Sequence, residues 1–311
     1  PGHLVRRAPV FLVQIVLQGC YDPASKSRHK QGGRRVQTIN QLEHLRKAIS
    51  LLRANQKRVA LVPTMGALHR GHLKLVEVAR QHADVVVVSI FVNPTQFGQG
   101  EDLDAYPRTL EADAALLAPL DVDIICAPTV AEIYPAGFAT SIHVEGPSSG
   151  FCGGARPGHF DGVALIVTKL FNQVQPDCAC FGEKDFQQLA VIRQFVRDLD
   201  IDVQIIGVPT ERDVDGLALS SRNAYLSAEH RRAAVALPQA LQAASAQIRS
   251  GGDVAEALAK AKADILAAGS ASIDYLELAG AGSLQAAKSA GTSPLRLLVA
   301  ARIGKTRLID N

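Results

Sequence analysis

Short, continuous apolar runs alternate with segments of helical periodicity across the first two-thirds of this chain, and that alternation limits its fold more than any other feature. Val59–Val62 is apolar on consecutive residues, and Val85–Val92 and Val122–Ala127 are so apart from Ser89 and Asp123, not on every second one. A strand that can hide both faces reads this way, as strands of parallel sheets do under helices. Between them, Leu42, Leu45, Ile49 and Leu52 recur at helical spacing, and Leu73–His82 and Leu110–Leu117 are predicted as further helices. The series continues with a helix near Gly162–Val174, a strand at Cys178–Phe181, a helix at Phe186–Leu199 and a strand at Val203–Val208. The expectation is an α/β, doubly wound parallel-sheet (Rossmann-like) domain over residues 36–208, with ligands beyond the carboxyl ends of its strands.

After Val208 the texture changes. Alanine-rich helices are expected over Ala228–Ser250 and Val254–Ala268, then strands at Ile273–Leu278 and Leu295–Ile303, making residues 209–311 a smaller α+β domain. Residues 1–35 differ again: Arg6-Arg7, an apolar run Val10–Leu17 and Gly19-Cys20 superficially resemble an export signal, but basic and polar residues follow. They are read as an extension ahead of the domains. No apolar run approaches the roughly 20 residues of a membrane span. With 33 basic against 30 acidic residues there is no nucleic-acid footprint either. Five scattered cysteines, an odd number, point to reduced thiols and a cytoplasmic location. Cys178 and Cys180 are expected to be small buried hydrophobes facing away from one another.

Four segments at or beyond predicted strand ends carry chemistry. Pro63-Thr-Met-Gly-Ala-Leu-His-Arg-Gly-His72 joins the first buried strand to a helix. Its glycines leave room for a nucleotide, and His69 and His72 can share a ligand at a helix N-terminus suited to phosphate. Gly182-Glu-Lys-Asp185 brings a cation to a second strand end, with Gln187-Gln188 behind it. Asp215–Asn223 places Ser220 and Ser221 beside Arg222, a set that hydrogen-bonds polyphosphates. Asn93-Pro-Thr-Gln96 ends the second strand. Locally, each also reads as an ordinary polar turn. Together they describe one pocket of a nucleotide-using enzyme, with a nucleotidyltransferase acting on another acceptor as the alternative.

These residues resemble the pantothenate synthetase (pantoate–β-alanine ligase) family, part of the His-x-Gly-His nucleotidyltransferase superfamily. The likeness runs from Val36 to Asn311. It includes the segments above, Asp104-Ala-Tyr-Pro-Arg-Thr109, Arg156-Pro-Gly-His-Phe-x-Gly162 and Arg307-Leu-Ile-Asp-Asn311. The resemblance implies ATP-dependent condensation of pantoate with β-alanine through a pantoyl adenylate, with Mg²⁺, a cytoplasmic homodimer, and no membrane or nucleic-acid partner. It implies that Met65, Gly66, Ala67, Leu68, His69, Arg70, Gly71 and His72 line the ATP site. Gly182, Glu183, Lys184 and Asp185 would take ribose and phosphates, and Glu211 would lie beside the adenine. Leu219, Ser220, Ser221 and Arg222 would form a phosphate loop. His69, His72, Lys184 and Arg222 would carry the chemistry, Gln96 and Gln188 would hold pantoate, and Arg156 would sit in a mobile flap. No general base for amide formation and no metal ligand is identifiable.

Overall fold

A computed structural model describes residues 36–98 and 100–311. The apolar run and Cys20 of the N-terminal extension lie outside them. Six strands, β1 (Gln37–Ile39), β2 (Val59–Thr64), β3 (Val85–Ile90), β4 (Ile124–Cys126), β5 (Cys178–Gly182) and β6 (Gln204–Val208), form one sheet in the order β1-β4-β3-β2-β5-β6. Every pairing is parallel. Helices α1 (Leu42–Ala54), α2 (Arg70–His82), α3 (Leu110–Leu117), α4 (Val130–Ile133), α5 (Phe151–Ala155), α6 (His159–Val174) and α7 (Phe186–Asp198) fill the connections.

Strand alternation divides the core between the two faces of the sheet. Val59, Leu61, Val85, Val87 and Phe181 pack against α1, α6 and α7. Ala60, Val62, Val86 and Val88 pack against α2 and Leu117 of α3. Burying both neighbours at each step explains the continuous apolar runs. The chain winds from β2 through β3 to β4, then returns to place β5 on the other side of β2. The strand order therefore reverses between β2 and β5, the switch point where such sheets open a crevice. Cys178 and Cys180 are buried as expected, but they share one face, packed with Ala60 and Val62. A separation of two is one full period of a strand, so the expectation of opposite faces is corrected. Cys126, Cys152, Cys178 and Cys180 are all free thiols.

Helices α8 (Ala228–Ala234), α9 (Ala236–Arg249) and α10 (Val254–Ala267) cover a second, antiparallel sheet of β7 (Ser272–Gly280), β8 (Leu295–Ile303) and β9 (Thr306–Asp310). Leu237, Ile265, Leu276 and Val299 centre its own core. The single helix expected over Ala228–Ser250 is two, broken at Val235, and β9 is additional to the expected strands. Asp253 and Ser227 cap α10 and α8 by accepting the backbone N–H groups of Glu256 and His230. No helix among the described residues is long and apolar enough to cross a membrane.

Candidate active site

The reversal point holds a cavity of about 220 Å³ built from the carboxyl ends of β2 and β5 and the loop after β6. Residues 65–72 leave β2 in a tight turn, with Gly66 at φ +81° and Ala67 at φ +51°. The Asp113 carboxylate of α3 fixes this turn, accepting the N–H of Leu68 at 2.8 Å and of Ala67 at 3.0 Å. A Cβ on Gly66 would stand 3.0 Å from Asp113 Oδ2 and 3.1 Å from Ile90, so glycine is required for space as well as for φ.

Helix α2 begins in an unusual cap made of the two histidines. His69 Nδ1 accepts the Gly71 N–H at 3.2 Å, and His72 Nδ1 accepts the His69 N–H at 3.3 Å. Both Nδ1 atoms act as acceptors, so in each neutral ring Nε2 carries the proton and is a donor. Burial lowers the His69 pKa to about 4, helped by the Lys184 charge, and lowers that of His72 to about 3, helped by His69. The rings are in contact, tilted by 42° with centroids 4.1 Å apart. Both imidazoles are therefore neutral hydrogen-bond donors.

Lys184 and Asp185 follow β5, with Lys184 Nζ 3.8 Å from the Asp185 carboxylate. Asn311 Nδ2 donates to the carbonyls of Glu183 and Lys184 at 2.9 and 3.0 Å, tying the end of β9 to this loop. Asp310, itself buried, forms a fork with Arg212 at 2.7 and 2.8 Å. In the loop beyond β6, Ser220 Oγ accepts the Arg222 N–H at 3.3 Å and Ser221 Oγ lies 3.2 Å from Tyr106 Oη.

Asn93, almost fully buried, organises the Gln96 side of the cavity. Its Nδ2 donates to Gln96 Oε1 and to the Gly162 carbonyl, both at 3.1 Å, while its Oδ1 accepts from Tyr134 Oη at 2.8 Å. Gln96 Nε2 lies 3.0 Å from Met65 Sδ. Gln188 also lines the cavity, and its side chain has no protein hydrogen-bond partner among the described residues. Its neighbour Gln187 is turned away, donating to the carbonyls of Pro147, Ser149 and Gly150.

Most of the expected site residues thus meet. Met65, His69, Gly71 and His72 line the cavity with Gly182, Lys184 and Asp185, as do Glu211 and Leu219–Arg222. Gly66, Ala67, Leu68, Arg70 and Glu183 are not on its lining. The first three shape the turn; Arg70 faces Glu211 at 3.7 Å and Glu183 pairs with Arg296 at 3.2 Å. Arg156 lines a larger adjoining cavity of about 770 Å³, which shares Lys184, Gln188 and Arg222 with the first. Sequence reasoning missed Asp113, whose one signal is a carboxylate inside the apolar helix Leu110–Leu117.

A doubly wound sheet with imidazole, ammonium and guanidinium donors gathered at its reversal point defines an α/β protein of the nucleotide-handling class. Comparison narrows that class: residues 37–311 match the model of the pantoate-beta-alanine ligase family. The chain belongs to that family. It is 60% identical over 276 residues to the pantothenate synthetase of Rhizorhabdus wittichii, covering 89% of this chain and 98% of the relative. Among solved structures, pantothenate synthetase from Thermus thermophilus is 49% identical with a TM-score of 0.84, over 88% of this chain and 98% of that one. Pantoate-beta-alanine ligase from Francisella tularensis, complexed with beta-gamma ATP and beta-alanine, is 34% identical with a TM-score of 0.75, over 89% and 97%.

Proposed function

We propose that this cavity condenses pantoate with β-alanine at the expense of ATP, giving pantothenate, AMP and pyrophosphate through a pantoyl adenylate. The observation that carries the reading is the set of donors gathered in one crevice. Lys184 and Arg222, the neutral His69 and His72 donors, and the neutral amides Gln96 and Gln188 all line it. Cations and N–H donors suit a triphosphate; amides suit hydroxyl and carboxylate groups.

In the first step a pantoate carboxylate oxygen attacks the α-phosphorus and the bond to pyrophosphate breaks. The transferring group needs alignment and charge stabilisation more than covalent help. His69 and His72 donate through Nε2–H, and Lys184 and Arg222 neutralise the departing pyrophosphate. Ser220 and Ser221 belong to the same phosphate loop, and Glu211 borders the adenine. In the second step the β-alanine nitrogen attacks the acyl carbon, the bond to AMP breaks, and the amine loses a proton. With their Nδ1 atoms engaged and their Nε2 atoms protonated, neither histidine is free to act as the base. The amine enters neutral, favoured by desolvation, and the proton it loses after attack passes to the departing AMP phosphate or to water.

Mg²⁺ fits this reading as an ion carried by the triphosphate. Among the described residues no cluster of three or more His, Cys, Asp or Glu could cage a metal. Asp185, beside Lys184, is the carboxylate suited to an ion that keeps most of its water. When bound, Mg²⁺ would supply charge neutralisation on the phosphates. The remainder of the proposal follows the family likeness: a cytoplasmic homodimer, with residues 36–208 holding ATP and pantoate and 209–311 forming a smaller domain.

Pantoate-dependent exchange of labelled pyrophosphate into ATP, without β-alanine, tests the adenylate directly. Exchange is expected. Folded protein that makes pantothenate yet shows no exchange would overturn the two-step route.

A further inference from the structure

We propose that the dipeptide Glu101-Asp102 is a pair of positioning residues serving the two substrates separately: Asp102 sets Arg222 toward ATP, and Glu101 sets Arg156 over Gln96 toward pantoate. The inference rests on the reading of the cavity given above.

The two carboxylates are adjacent in sequence, yet each forms a two-point fork with an arginine from a different remote segment. Asp102 accepts Arg222 Nε at 3.0 Å and Nη2 at 2.8 Å. That fork uses one edge of the guanidinium and leaves Nη1 without a protein partner among the described residues. Glu101 accepts Arg156 Nε and Nη2, both at 2.6 Å. Arg156 passes the constraint on: Nη2 donates to the Gln96 carbonyl at 3.3 Å, and Nη1 lies 3.0 Å from His159 Nε2. His159 Nδ1 in turn donates to the same Gln96 carbonyl at 2.7 Å. Gln96 is thus held by its backbone through Glu101 and by its side chain through Asn93.

Burial works against ionisation of Glu101, but the Arg156 hydrogen bond and charge outweigh it and lower its pKa to about 2. Both acids are partly exposed, where an ion pair adds only about 0–1 kcal/mol to the stability of a fold. Two forks on cavity-lining arginines therefore serve alignment better than they serve stability. A planar guanidinium gripped along one edge loses little further freedom on meeting an anion. The same strap makes a second contact with the phosphate loop, where Tyr106 meets Ser221 at 3.2 Å.

Steady-state kinetics of Asp102→Asn and Glu101→Gln test the division. Asp102→Asn should raise the KM for ATP roughly tenfold and leave that for pantoate within about twofold; Glu101→Gln should do the reverse. Melting temperatures should stay near the parent's, and Arg222→Lys, which keeps charge without the fork, should mimic Asp102→Asn. Combined with Arg222→Ala, Asp102→Asn should add less than about twofold. Equal shifts for both substrates, a lowered KM for ATP in Asp102→Asn, or additive effects in the double variant would overturn the inference while leaving the cavity reading intact. An Arg222→Ala enzyme with unchanged ATP kinetics would overturn both.

Discussion

Replacing Asp113 with Asn should disable the turn that presents His69 while changing little in volume. The carboxylate meets its donors from two sides: Leu68 N–H on Oδ1, and Ala67 N–H with the Thr109 hydroxyl, at 3.3 Å, on Oδ2. An amide has one acceptor oxygen, so whichever way it turns, its NH₂ faces a backbone N–H in a site that is only 1% exposed. One charge-assisted hydrogen bond becomes neutral and another is replaced by two opposed donors. Leaving a buried donor unpaired costs about 1–3 kcal/mol, and together the changes amount to about 2–4 kcal/mol. At roughly 2–4 °C per kcal/mol for a chain of this size, the melting temperature should fall by about 5–15 °C. The turn carries His69 and the start of α2, so pyrophosphate exchange by the folded variant should drop at least about tenfold. Thermal unfolding followed by circular dichroism, with exchange assayed well below the transition, gives both numbers. A variant within about 2 °C of the parent and fully active would show that the two N–H contacts do not hold the turn.

His72→Ala removes one donor from the cavity and, on the proposed reading, should slow adenylation about 100- to 1,000-fold. Supplied pantoyl adenylate and β-alanine should still react at close to the parental rate; equal loss in both half-reactions would refute the assignment. Gln188→Ala should raise the pantoate requirement far more than the ATP requirement, and equal shifts would count against a pantoate contact. A methyl group on Gly162 would overlap the Thr95 carbonyl, pushing the Asn93–Gln96 turn away from α6. Gly162→Ala should therefore cost about 1–3 kcal/mol and weaken pantoate use, and parental stability with parental kinetics would exclude that packing. Burial holds His69, His72 and His159 at about 4, 3 and 4, below the ordinary 6.5. Below pH 6.5 the unfolded chain takes up protons that the folded chain refuses. Stability present above pH 6.5 is thus lost toward pH 4, by up to about 1.36 kcal/mol per pH unit for each histidine. A melting temperature that stays flat between about pH 7 and pH 5 would contradict it.

The parallel sheet was readable because burial on both faces writes itself as consecutive apolar residues, Val-Ala-Leu-Val at the start of β2 and Val-Val-Val-Val at the start of β3. The strand β1 has three residues, two of them exposed, and leaves no such trace. The strand β9 reads Thr-Arg-Leu-Ile-Asp, with burial alternating along it, and its charged residues hid it beside the apolar β8. The break at Val235 was masked by alanine on both sides of it, although Pro238 in the first turn of α9 cannot donate to the Ala234 carbonyl and so ends the continuous helix. For the site, strand ends and turn residues located the histidines, Lys184 and Gln96. Asp113, Glu101 and Asp102 escaped notice because their partners are 45 to 120 residues away, and only the folded chain brings them together.

The paired histidines at the start of α2 would couple occupancy of the site to the integrity of the helix they cap. Serine or aspartate could accept the same backbone N–H groups, but neither offers a donor on the opposite side of a rigid ring. When an anion draws on Nε2–H, electron density moves across the imidazole and makes Nδ1 a stronger acceptor. An anion bound there would tighten the helix that holds it, through the two backbone N–H to ring hydrogen bonds. Binding of that kind would show in slower hydrogen exchange at the His69 and Gly71 amides, each one ring's width from the donor it would use.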